Sequence, residues 1–203
     1  MSTSLPSPAP GVIAIGGLTQ ATRHYRNYDA VISAEDPGSR QNSRLRINRA
    51  PYQPQLVLAF EDVDCASFGY AHANAQQVLA ALEFAQTHSD RSLLVHCQHG
   101  VGRSAALALA ILTDRAAPGS ESECVNTLFE LRPEACPNRI VTELADVVLG
   151  CNGRLVAALD AYEALNPHMA QRRRARLAYA RNFPEQFARA SWEGSRILRF
   201  HHD

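Results

Sequence analysis

The strongest constraint in the chain lies between residues 93 and 115. Leu93-Leu94-Val95 is a short run of large apolar residues, the pattern of a buried strand. Arg103–Arg115 is apolar nearly all round (SAALALAIL), which predicts a helix buried within a core. Only Gln98-His99-Gly100-Val101-Gly102 separate His96-Cys97 from Arg103. A buried strand that passes through so short a loop into a buried helix leaves few options beyond a compact α/β core.

The flanking sequence fits that frame. Gly11–Ile15 and Tyr28–Ala34 are apolar runs rich in β-branched residues, and Gln55–Phe60 is a third apolar run, so all three read as strands. LTQATRHYR predicts a short helix between the first two. Ala71–His88 carries Ala75, Val78, Leu79, Leu82 and Ala85 at helical spacing, and Glu121–Leu131, Arg139–Leu149 and Arg154–Leu165 repeat the pattern between Pro and Gly breaks. Strands early and helices late predict a helical C-terminal part, which continues from Met169 as QRRRARLAYARNF. Residues 36–54, rich in Pro, Asn, Ser and Arg, read as an exposed loop. Residues 1–10 (MSTSLPSPAP) are expected to be a disordered tail, 11–166 the main domain and 167–203 an Arg-rich helical extension.

Composition removes several classes of function. The 203 residues contain 20 basic and 20 acidic side chains, so no overall field draws the chain to nucleic acid or an anionic membrane. All the basic residues are arginine. The five cysteines, at 65, 97, 124, 136 and 151, are odd in number and form no C-x-x-C pair, which argues against a disulfide framework or a zinc ribbon and predicts a reducing, cytoplasmic setting. No apolar run approaches the roughly 18 residues of a membrane span, and no basic stretch followed by an apolar one opens the chain. The GVIAIGG segment lacks the G-x-G-x-x-G spacing and a placed acid, so a dinucleotide site is discarded.

The loop after the buried strand carries chemistry. Five residues between Cys97 and Arg103 can turn their backbone N–H groups inward around an oxyanion, and the helix that starts at Arg103 adds partial positive charge. A cysteine at the mouth of such a nest is favoured as the thiolate. Arg103 can give two parallel N–H···O bonds to phosphate oxygens, Ser104 can donate its hydroxyl to the sulfur, and Gly100 and Gly102 permit close backbone approach. Gln98, His99, Gly100, Val101, Gly102, Arg103 and Ser104 therefore form the candidate phosphate site, with Cys97 as nucleophile and His96 as a buried scaffold. A bare C-x5-R pattern is expected about 0.5 times by chance here; His before the Cys, Gly three after it and Ser after the Arg reduce this to about one in ten thousand.

Residues 96–104 resemble the signature H-C-x-x-G-x-x-R-S/T of the cysteine-dependent protein tyrosine phosphatase superfamily at every fixed position, and the small size and Arg-Ser ending look like its dual-specificity branch. The resemblance implies a four- or five-stranded, mostly parallel central sheet flanked by helices. It implies phosphomonoester hydrolysis through a phosphocysteine, without metal or cofactor, on phosphotyrosine or dual-specificity protein substrates. A phosphoinositide, inositol phosphate or nucleotide phosphatase, and a phosphate-binding module without turnover, are the alternatives. It also implies an acid on an upstream loop: Ala59-Phe60-Glu61-Asp62 matches that loop, with Asp64 as competitor. Pro137-Asn138 ahead of an apolar helix is a third likeness, implying a segment packed near the phosphate loop. Together with the following LADVVLGCNGRLVAAL it is similar to a group of small bacterial tyrosine-phosphatase-like proteins. The Arg172-Arg173-Arg174-Arg176 cluster is read as a solvated helix face.

Overall fold

A computed structural model describes residues 4–37, 44–47, 53–64 and 71–182. Four strands, β1 (Ile13–Gly17), β2 (Ala30–Glu35), β3 (Gln55–Ala59) and β4 (Leu93–Cys97), form one sheet in the order β1-β4-β2-β3. Every pairing among them is parallel, with Gly17 opposite Cys97 and Ser33 opposite His96. The expected sheet is thus present with four strands among the described residues. The last strand in sequence sits in the interior of the sheet, flanked by β1 and β2, so its carboxyl end opens into a crevice bordered by theirs. Open parallel sheets bind ligands at such points.

β1, β2 and β4 are covered on both faces, which is why they read as largely apolar runs without regular polar alternation, whereas the edge strand β3 is partly exposed. Ile13, Ile15, Ala30, Ile32, Leu93 and Val95 point to one face and pack in the main core against α2 (Ala75–Thr87), α3 (Arg103–Arg115), α4 (Glu121–Leu131), α5 (Arg139–Val148) and α6 (Arg154–Leu165). The alternating residues Ala14, Val31 and Leu94 point to the other face, under α1 (Leu18–His24), Tyr28 and Leu45. Leu107, Leu109 and Ile111 of α3 are fully buried, as the all-round apolar sequence predicts.

Helix starts follow local chemistry. Asn74 caps α2 by accepting from Gln77 N at 3.0 Å, and Asn138 caps α5 by accepting from Val141 N at 3.0 Å. Asp146 accepts from Leu155 N at 2.9 Å and so satisfies the first turn of α6 from the end of α5. The chain continues into α7 (Pro167–Asn182), anchored by the buried Met169. Residues 1–10, expected to be a disordered tail, have two anchors among their described members: Leu5 packs on the smaller core, and Pro6 O accepts from Tyr28 Oη at 2.6 Å. Cys65 lies outside the described residues. No helix among the described residues is long and apolar enough to cross a membrane.

Candidate active site

The loop 98–102 is held from outside by its carbonyls. Gln98 O accepts from Leu18 N at 3.2 Å, Val101 O from Cys136 N at 2.9 Å and Gly102 O from Asn138 N at 3.2 Å, while Arg132 Nε donates to Gly100 O at 3.1 Å. In a trans peptide the C=O and the following N–H point in opposite directions. With these four carbonyls turned to the scaffold, the amides of His99, Val101, Gly102 and Arg103 face the interior of the loop. Gly100 N donates to Cys97 Sγ at 3.3 Å. Gly100 has φ +74°, and a Cβ there would overlap the backbone of Gly16 and Gly17. The paired glycines that close β1, which carry no dinucleotide motif, are thus the surface on which the loop rests.

Cys97 ends β4 and is buried, with its Sγ 3.2 Å from Ser104 Oγ in the first turn of α3. His96, one residue earlier, is also buried. Gln55 Nε2 donates to Ser33 Oγ at 2.8 Å, and Ser33 in turn sits 2.8 Å from His96 Nε2. Cys97 O, 3.4 Å from Nδ1, can only accept, which puts the proton of the neutral ring on Nδ1 and makes Nε2 the acceptor of the Ser33 hydroxyl. Burial pushes the His96 pKa down to about 4, so the ring is a neutral strut between strands, as expected of a scaffold residue.

Arg103 is 2% exposed and is oriented by an acid the sequence analysis did not single out. Its Nη1 and Nη2 meet the two Asp36 carboxylate oxygens at 3.0 and 3.2 Å, and Nη1 also donates to Phe60 O at 2.6 Å. These contacts occupy the end of the guanidinium. Its buried Nε has no protein acceptor among the described residues, so the Nε–Nη2 edge is the fork left for an anion. Asp36 follows directly on β2, beside β4, which is how a residue so distant in sequence reaches the loop. Asp36, Arg44, Leu45, Gln98, Cys97 and Arg103 line a common cleft.

The two candidate acids separate clearly. Asp62 lies over the loop: a Cβ at Gly102 would overlap both its carboxylate oxygens. Asn138 Nδ2 donates to Asp62 Oδ1 at 2.9 Å and to Val63 O at 2.9 Å, tying the strap 60–64 to the start of α5. The Pro137-Asn138 pair thus packs beside the phosphate loop. Asp64 turns away, accepting from Arg139 N at 2.8 Å with its side chain 3% exposed. Burial pushes the Asp62 pKa up, but Arg176, Arg103 and the Asn138 hydrogen bond outweigh this and hold it below the ordinary carboxylate range.

The Arg172–Arg176 cluster is only partly the solvated face that its charge suggests. Arg172 and Arg174 are exposed, whereas Arg173 and Arg176, three apart on one side of α7, turn inward. Arg173 Nη2 meets Glu163 at 2.6 Å, and Arg176 Nη2 meets Asp62 at 2.5 Å. Among the described residues no group of three His, Cys, Asp or Glu is placed to hold a metal ion, and Cys124, Cys136 and Cys151 are buried free thiols.

The sequence matches no family model and no curated protein. Solved structures do match. The crystal structure of Tk-PTP in the active form superposes with a TM-score of 0.51 at 19% identity, over 70% of this chain and 96% of that one. The fold is that of the cysteine-dependent tyrosine and dual-specificity phosphatases. PTPMT1 gives a TM-score of 0.50 at 18% identity, over 71% of this chain and 96% of that one. The human tyrosine phosphatase-like serine/threonine/tyrosine-interacting protein gives 0.50 at 16% identity, over 74% and 95%. A fold shared by phosphatases and a phosphatase-like interacting protein does not itself decide between turnover and binding; the side chains in the loop must.

Proposed function

We propose that the chain hydrolyses phosphomonoesters through a phosphocysteine intermediate on Cys97, acting on phosphotyrosine or dual-specificity protein substrates. The observation that carries this reading is the conjunction of a sulfur at the floor of an inward-facing amide nest with a buried arginine whose Nε has no protein acceptor among the described residues. A binding module would need the nest and the arginine but not the nucleophile, the Ser104 hydroxyl at 3.2 Å and an acid above the loop.

In the first step the Cys97 thiolate attacks phosphorus in line with the leaving oxygen. The S–P bond forms, the P–O bond to the substrate breaks, and Asp62, in the protonated form that its neighbours confine to acidic pH, delivers its proton to the departing oxygen. The nest amides and the Nε–Nη2 edge of Arg103 take up the charge on the three equatorial oxygens. In the second step Asp62, now a carboxylate, accepts a proton from water as the water oxygen attacks phosphorus. The S–P bond breaks, inorganic phosphate leaves, and Ser104 donates to the returning thiolate. No step calls for a metal or an organic cofactor.

Arg44 gives one observation in favour of a second reading, since it lines the cleft with Cys97 and Arg103 and would suit an inositol phosphate carrying a further anionic group. A substrate panel in the presence of chelator separates the two. Hydrolysis of phosphotyrosine peptides faster than of phosphoinositides or nucleotide monophosphates is expected, with inhibition by vanadate. Selective turnover of the phosphoinositides would move the assignment to lipid substrates, and absence of turnover on every ester would leave a binding module.

A further inference from the structure

Helix α7 is an unusual neighbour for an acid. Arg176 Nη2 lies 2.5 Å from Asp62 Oδ1 and 3.0 Å from Asp62 O, and its Nη1 shares the space above Gly102 with the Asp62 carboxylate. Its Nε is 3.1 Å from Asp64 Oδ2, so one guanidinium bridges both acids of the strap 60–64. The helix is fixed independently of this contact. Met169 is 2% exposed, Arg173 pairs with Glu163 and donates to Pro137 O at 2.9 Å, and Arg172 donates to Glu134 O at 2.7 Å. Arg176 therefore reaches Asp62 from a braced platform.

We propose that Arg176 is a positioning residue for the acid, so that α7 completes the active site by holding the Asp62 carboxylate above the phosphate loop. This rests on the reading of Asp62 as the acid. The groups facing Asp62 are Arg176 from α7, Arg103 from α3 and the Asn138 amide from the start of α5. Behind them Asp64 and the Cys136 thiol act on Arg176, while Asp36 and Cys97 act on Arg103. Arg103 also holds the substrate, so Arg176 is the cation whose removal alters the acid without dismantling the phosphate site. The sign is fixed: a cation at this distance favours the carboxylate, so its loss raises the pH at which Asp62 gives up its proton.

The test is the pH profile of kcat/KM on a phosphotyrosine peptide, which reports the free enzyme. In Arg176→Met the alkaline limb should move to higher pH by about one to three units, the effect of one adjacent opposite charge. Arg176→Lys should keep the limb within about half a unit of its original position, since it retains most of that effect. The position of the limb does not depend on the fraction of protein folded, so weakened docking of α7 cannot imitate the shift. In an Asp62→Asn background, Arg176→Met should change kcat by less than about twofold, since interacting sites are non-additive. An unmoved limb in Arg176→Met, or a change in kcat well beyond twofold in the Asp62→Asn background, would overturn the role given to Arg176. If Asp62→Asn alone leaves phosphotyrosine turnover intact, it is the acid assignment that fails.

Discussion

Cys97→Ser is expected to abolish turnover, by a factor on the order of 10⁴–10⁶, while leaving phosphate and vanadate binding in place. A hydroxyl at this position is not ionised near neutral pH and is a much weaker nucleophile than a thiolate. The substitution changes one atom in a buried position, and the carbonyl anchors to Leu18, Arg132, Cys136 and Asn138 do not involve the side chain. The nest amides and the free edge of Arg103 therefore persist. Steady-state rates on an aryl phosphate, paired with calorimetric titration of vanadate, separate the two properties. Full activity in the variant would remove Cys97 from the mechanism. Joint loss of binding and turnover would mean that the thiol is part of the anion site itself.

Asp62→Asn is expected to cost about 10²–10⁴-fold on a phosphotyrosine peptide, the usual contribution of general acid catalysis. In kcat/KM, which covers the steps up to loss of the leaving group, the loss should be far smaller on a nitrophenyl ester, whose leaving oxygen needs no proton, whereas tyrosine, with a pKa near 10, does. Asp64→Asn should cost less than tenfold, about 1.4 kcal/mol, in turnover on either substrate. Its cost should appear in thermal stability, because Asp64 is buried at the start of α5 and shared by Arg173 and Arg176. Turnover on the two esters and melting of the two variants decide the matter. The reverse ranking would transfer the proton to Asp64, and equal small losses would leave the leaving group to water.

The elements that position Cys97 were legible because each is written locally. Leu93–Val95 and SAALALAIL announce a buried strand and helix, and the loop between them has its signature within nine residues. The groups that hold the loop and orient its arginine were not, because each partner is set by topology. Asp36 reaches Arg103 only because β2 lies beside β4, and nothing in its own Pro- and Ser-rich neighbourhood marks it. Arg132 reaches Gly100 O from the turn after α4. Arg176 was hidden differently: charge counting treats four arginines alike, whereas the three-residue spacing of Arg173 and Arg176 puts those two on the inner side of α7. Asp62 and Asp64 are two residues apart in sequence and equivalent by that measure; that the Asp62 carboxylate turns over Gly102 while Asp64 turns to the start of α5 is a property of the folded strap.

The central claim is that phosphorus passes through Cys97. Rapid acid quench of the enzyme turning over a nitrophenyl phosphate, followed by mass spectrometry of the peptide containing residues 96–104, tests it directly. The account predicts a population of that peptide heavier by one phosphoryl group on Cys97, formed within the first turnover and enriched in Asp62→Asn, where the base for the second step is missing. Turnover with Cys97 unmodified at every quench time would contradict it.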